Sequence, residues 1–177
     1  YESAPDNTKL DDRWRFCYDG IARCNDVIRI TSKVPNLTEI EKKSILGQAR
    51  ALRGIYYFHG TVVFGKMPWI DETTEDFRQP NERFLWKEME EDLKFAFNNL
   101  PDTFTEVGRI NKWAAGSMLA KILIFQKKWS EAKTTLDDVI ANGKTTKGIK
   151  YALLSKYDNN FKMSFQGSSA DSEGIID

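Results

Sequence analysis

At 177 residues the chain is long enough for one domain with a buried core and too short to argue for two. Its 26 basic and 26 acidic residues cancel, so no whole-molecule field draws it to nucleic acid or to an anionic membrane surface. Hydrophobic residues at 41% and charged ones at 29% describe an ordinary globular chain, and no run approaches the roughly 18 continuous apolar residues of a membrane span.

Tyr1 opens no cleavable signal pattern and no initiator methionine is present, while Gly174-Ile175-Ile176-Asp177 stops within what resembles a beginning strand. Both ends therefore read as cut points in a longer parent. From about Asp12 to Thr31, Trp14, Cys17, Tyr18, Ile21, Cys24 and Ile28 recur at three- and four-residue spacing, the stripe of a first amphipathic helix. Seven helical positions separate Cys17 from Cys24 by roughly 10 Å along the axis, too far to bridge, so both read as small apolar core residues.

Pro35-Asn36 breaks the chain, and Thr38-Glu39-Ile40-Glu41 fits a capping box that opens a second helix. Ile45, Ala49, Leu52, Tyr56 and Val63 mark its expected inner side until Gly65 and Pro68 stop it, after about 40 Å. The stretch from Gly65 to Asn81 lacks a period and reads as a candidate surface. Leu85, Met89, Leu93, Ala96, Phe97 and Leu100 define a third helix closed by Pro101, with Glu90 and Lys94 spaced for a helix pair.

A fourth helix, about Asn111 to Gln126, is apolar nearly all round and is expected to sit centrally. After a very short turn comes a fifth, with Trp129, Ala132, Leu136, Val139 and Ile140 expected inward and Asn142-Gly143 as its stop. Helices four and five resemble one tetratricopeptide unit, in which small Ala120 and Ala132 permit close approach. The expected fold is all-α: one domain over 1–177, a tetratricopeptide-like bundle of about five helices with its core at about 12–142. An irregular segment follows at 143–177.

Five segments, taken in order, resemble the SusD-like (RagB/SusD) family. Trp14, Tyr18, Ile21, Arg23 and Asn25 are similar to its W-x3-Y-x2-I-x-R-x-N helix. The run from Gly47 to Phe58 is similar to its G-E-A-R-x-L-R-A-x-Y-Y-F helix, the most specific match. Phe64-Gly65-Lys66-Met67-Pro68 resembles its F-G-x-V-P turn, and Glu91-Asp92-Leu93 with Leu100-Pro101 its D-L-x-x-A-x-x-x-L-P helix. Gly108-Arg109 through Ala115, with Lys128 to Ala132, resembles its G-R-x-x-x-x-A-A hairpin. Gln48 stands where the family usually has Glu and Gly54 where it usually has Ala, so a charge pair often formed there is expected to be missing.

The resemblance implies a non-enzymatic protein of the outer-membrane surface, held by a lipidated cysteine upstream of Tyr1 and paired with a TonB-dependent transporter. Its implied ligand is an oligosaccharide or, in some members, a peptide. A plain tetratricopeptide scaffold for a protein tail is the alternative, and a glycosidase-like enzyme a distant third.

The residues themselves offer little for catalysis. His59 is the single histidine and reads as a packing residue, and with only two cysteines, both distant from it in sequence, a zinc site is poorly supplied, so no cofactor or metal is expected. Glu90-Glu91-Asp92 and Asp137-Asp138 read mostly as solvated carboxylates. Arg50 and Arg53 read as structural ion-pair partners, because a guanidinium on a packed helix needs them. Sugar recognition asks for exposed aromatic faces beside polar groups. Trp14, Trp113 and Trp129 fall on apolar stripes and read as core, which leaves Trp69 and Phe77 in the long loop, and Tyr1 with Asn7 before the first helix, as the ligand-binding candidates.

Overall fold

The computed structural model describes residues 7–153 and 156–158, and within them the chain is all-helical, with long connecting loops and no sheet. Five helices follow in order: α1 Thr8–Thr31, α2 Glu39–Phe64, α3 Trp86–Asn99, α4 Lys112–Phe125 and α5 Trp129–Asn142. Each packs on the next, and α2 also touches α4. Close approach is possible where a side chain is missing: a Cβ at Gly20 would sit 2.4 Å from the Tyr56 ring of α2, and one at Gly116 2.7 Å from the Phe97 ring of α3.

Local chemistry sets the helix ends. Thr38 and Glu41 form the reciprocal capping box expected of them, each side chain satisfying the other's backbone N–H. α1 begins at Thr8, four residues before the expected start at Asp12, because the Asn7 side chain accepts the Lys9 N–H and caps a polar first turn. Between α4 and α5, Lys127 takes a left-handed φ of 60°, and the Lys128 N–H donates back to the Leu123 carbonyl at 2.9 Å, which makes the turn short. Asn111 accepts the Ala114 N–H to cap α4 and donates its own amide to the carbonyls of Asp102 and Lys144, tying three segments with one buried side chain.

The core runs from Ile21, Tyr57 and Met67 through Leu85, Met89 and Leu93 to Ile122 and Leu123. Cys17 and Cys24 are buried free thiols, as their spacing implied. Several expectations need correction. Leu52 and Val63 are exposed, because α2 lies between α1 and α3 and buries the residues that face those two neighbours, Ala51, Gly54, Tyr57, Phe58 and Thr61. Trp129 is 60% exposed and Ile140 69%, since α5 packs chiefly on α4 and its far side meets no other helix among the described residues. His59 is exposed, with Arg13 and Lys121 near enough to act on its charge: partial burial first, then those two cations, lower its pKa. The segment from Met67 to Ile70 is packed into the core rather than lying on the surface. Of the expected irregular stretch, 143–153 is described and carries one isolated bridge, Lys144 to Lys150; the rest, apart from 156–158, lies outside the described residues.

Glu90 and Asp92 are both buried, against the expectation of solvated carboxylates, and each is fully paired. Glu90 accepts from Lys94 at 2.6 Å, Lys128 at 2.7 Å and Gln126 at 2.7 Å, a clasp joining α3 to the α4–α5 turn. Burial alone would raise its pKa; the hydrogen bonds from Lys128, Lys94 and Gln126 outweigh that and lower it to about 2. Because the folded value lies below the ordinary 4.5, the stabilisation is complete above about pH 4.5 and is lost as pH falls toward 2. Replacing Glu90→Gln should therefore cost about 2 kcal/mol at pH 7, roughly 4–8 °C of thermal midpoint. In thermal melts across pH the gap to the wild type should narrow below pH 4.5 and close near pH 2.

Candidate functional site

One buried guanidinium positions the site. Arg53 of α2 donates Nε to Asp92 Oδ2 at 2.7 Å and Nη2 to Asp92 Oδ1 at 2.9 Å, a two-point pair with α3. Its Nη1 donates to Asn25 Oδ1 of α1 at 2.9 Å and to Glu72 Oε2 of the loop at 2.6 Å. Arg50 completes Asp92 with a further bond at 2.7 Å, so the expectation of structural ion pairs for both arginines holds. The plane of Arg53 also lies over the Trp69 ring, 5.0 Å from its centroid.

The loop after α2 is fastened at four more points. Tyr18 donates its hydroxyl to the Pro68 carbonyl at 2.7 Å, and Asn25 Nδ2 donates to the Ile70 carbonyl at 3.0 Å. The Tyr57 hydroxyl donates to the same Ile70 carbonyl and accepts the Ile70 N–H at 2.7 Å. Trp69 stacks on Tyr57 at 4.7 Å and donates its indole N–H to Asp71. Asp71 also accepts from the Thr73 backbone and from both threonine hydroxyls at 73 and 74, closing a tight turn. Burial disfavours its charge, but these hydrogen bonds prevail and hold its carboxyl below the usual range.

Between this fixed loop and α1 lies a cleft of about 330 Å³. Trp14, Tyr18 and Phe77 line it with aromatic surface; Asn25, Asp26, Arg29, Asp71 and Thr74 supply polar groups. Asp26 and Arg29 pair with each other at its edge. Apolar surface with polar groups around it can hold a ring that has one apolar face and hydroxyls at its rim. No group of three histidine, cysteine or carboxylate side chains suited to a metal ion occurs among the described residues.

Of the four candidates read from sequence, Phe77 alone lines the cleft, where it is 70% exposed. Trp69 is turned away from the opening and braces the wall through Tyr57 and Arg53. Asn7 lies at the start of α1 with its side chain used as a cap, and Tyr1 lies outside the described residues. Trp14, read as core, is half-buried and presents some of its surface to the cleft, packed on Tyr18 at 4.8 Å and edge-on to Phe64 at 5.1 Å. Sequence reasoning missed Tyr18, Asn25 and Arg29 as site residues; the signal was there, since Trp14, Tyr18, Asn25 and Arg29 continue one helical ridge that turns from apolar to polar.

A family model described as starch-binding and associating with the outer membrane, SusD-like, matches residues 2–124 of this chain. A SusD-like protein of Bacteroides ovatus is 25% identical over 169 residues, which covers 85% of this chain and 31% of that protein. Among solved structures, a laminarin-binding SusD-like protein superposes with a TM-score of 0.74 at 28% identity, covering 88% of this chain and 35% of the other. The surface glycan-binding protein A of Bacteroides uniformis shares the fold, with a TM-score of 0.73 at 22% identity over 85% of this chain and 35% of the other. The chain thus spans about a third of the length of these relatives, and it belongs to the SusD-like family.

Removing Arg53 leaves Asp92 with one partner and frees Asn25 and Glu72. Arg53→Ala is expected to cost about 3–5 kcal/mol of folding stability, measured by denaturant melts. Glu72→Gln should cost far less, because that carboxylate is partly exposed, while hydrogen exchange of the amides from 69 to 74 speeds up markedly.

Proposed function

We propose that this SusD-like chain captures an oligosaccharide at the outer-membrane surface and hands it, chemically unchanged, to a TonB-dependent transporter. The observation that carries the reading is the cleft itself, in which Trp14, Tyr18 and Phe77 stand beside five polar side chains, between α1 and a loop that Arg53 ties down through Glu72. The laminarin-binding relative supports a glucan as the first ligand to try. A lipid anchor upstream of Tyr1 would hold the parent protein at the surface.

The energetics explain why the cleft belongs to a larger site. One stacked face covering about 100 Å² contributes about 2.5 kcal/mol at about 25 cal/mol per Å². That falls short of the roughly 4 kcal/mol of millimolar binding, so two or three faces with polar partners are needed. Trp14 and Phe77 provide two, and the two thirds of the relatives' length that this chain does not span would provide more.

Calorimetric titration of the full-length protein with laminarin oligosaccharides, a panel of neutral glycans and mixed peptides, each mixture analysed for products, tests the reading. Saturable binding without conversion is expected, and Phe77→Ala should weaken it about tenfold without lowering the thermal midpoint, because the ring is mostly exposed. Conversion of the ligand, binding of mixed peptides alone, or unchanged affinity in Phe77→Ala would each refute it.

A further inference from the structure

A second depression, of about 350 Å³, opens between α1 and α2 away from the cleft and shares none of its lining residues. Gly20, Cys24 and Ala49 form its buried floor, and Val27, Leu52 and the Tyr56 ring its walls. Arg23 of α1, Gln48 of α2 and Arg109 of the α3–α4 loop stand around it. The first cleft carries Asp26 and Asp71; among the described residues no carboxylate lines this groove.

The charges here are unbalanced in a chain whose totals cancel. Most other arginines sit against carboxylates: Arg15 on Asp11, Arg29 on Asp26, Arg50 and Arg53 on Asp92, Arg78 on Asp76, Arg83 on Glu88. Arg23 has no carboxylate within ion-pair reach among the described residues. Arg109 donates Nε and Nη2 to the largely exposed Glu106 carboxylate, at 3.2 and 3.4 Å, and on the groove side donates Nη1 to the neutral Gln48 Oε1 at 3.2 Å. Gln48 is held in that sense because its own amide donates to the Ser44 carbonyl at 3.3 Å. Arg23 thus stands beside an apolar floor with no carboxylate partner among the described residues, while Arg109 keeps its Nη1 edge on the groove side, and a planar guanidinium is built to take a carboxylate or sulfate at two points.

We infer that this groove binds an anionic saccharide unit, its carboxylate or sulfate held by Arg23 and Arg109 and its ring set against Tyr56 and the aliphatic wall. The inference rests on the capture reading and adds to it a second site of different charge preference. A small ligand fits better than a folded partner: a protein interface needs about 800 Å² on each side, whereas this volume falls within the roughly 300–1,000 Å³ of small-molecule sites.

The test is calorimetric titration of the full-length protein with trigalacturonate, its methyl ester, a sulfated galacto-oligosaccharide, tetra-aspartate and neutral laminaritriose, at low and high salt. Expected are binding of the acid or the sulfate ester that weakens with salt, an ester at least about tenfold weaker than its acid, and about tenfold loss in each of Arg23→Gln and Arg109→Gln. Arg23→Gln should leave laminaritriose binding intact. The inference is overturned if the methyl ester binds as well as the acid, if tetra-aspartate binds as tightly as any saccharide, if both arginine variants behave as wild type, or if no anionic saccharide binds. Loss of neutral binding alone would sink the cleft reading and leave this one standing, and the reverse result would separate them equally well.

Discussion

A carboxylate that is 1% exposed cannot stay charged without partners, and Asp92 obtains them from two arginines one helical turn apart on α2. That requirement propagates outward. Satisfying Asp92 orients Arg53; orienting Arg53 leaves one nitrogen aimed at Asn25 and Glu72, which brings α1 and the loop into the same cluster. Four segments far apart in sequence are thereby held in one register by directional bonds. Hydrophobic packing alone, being non-directional, would permit them to slide.

The clasp around Glu90 acts in the same way in the next layer, where α3 meets the α4–α5 turn. Glu90 and Asp92 sit two residues apart on α3 and look in different directions, one toward α4 and α5, the other toward α2. A single helix of 14 residues thus connects the two halves of the array through charge as well as through Met89, Leu93 and Ala96. The cleft beside α1 inherits this rigidity, because its loop wall is fastened through Tyr57, Asn25 and Arg53 rather than left to its own turn.

The helices were legible because their signals are local. The Thr38 capping box, the Asn142-Gly143 stop and the short hairpin between α4 and α5 depend on residues within a few positions of one another. Burial was legible only where a face is covered on the expected side. Trp129 and Ile140 lie on an apolar stripe, yet periodicity reports which residues share a face and not whether anything packs on it. Glu90 and Asp92 were misread for the complementary reason, since all their partners but Lys94 lie some 40 positions away and a run of acidic residues looks solvated until those partners arrive. Among the residues that line the cleft, Phe77 was singled out because it is aromatic in a loop. Trp69 shares that signature but is drawn inward by Tyr57 stacking, a long-range contact that composition does not encode.

The two thiols of α1 carry a consequence for the chemistry the protein can endure. Cys17 and Cys24 face inward against α2, and burial raises both their pKa values, that of Cys24 to about 11. Thiolate is the species that attacks disulfides and reacts with peroxide, and at neutral pH almost none is present at Cys24. Neither sulfur can reach the other along the helix, so no internal bridge competes with the fold. The chain therefore keeps two reduced cysteines that are redox-silent while α1 stays seated on α2, and oxidative scrambling must wait for that pair of helices to separate.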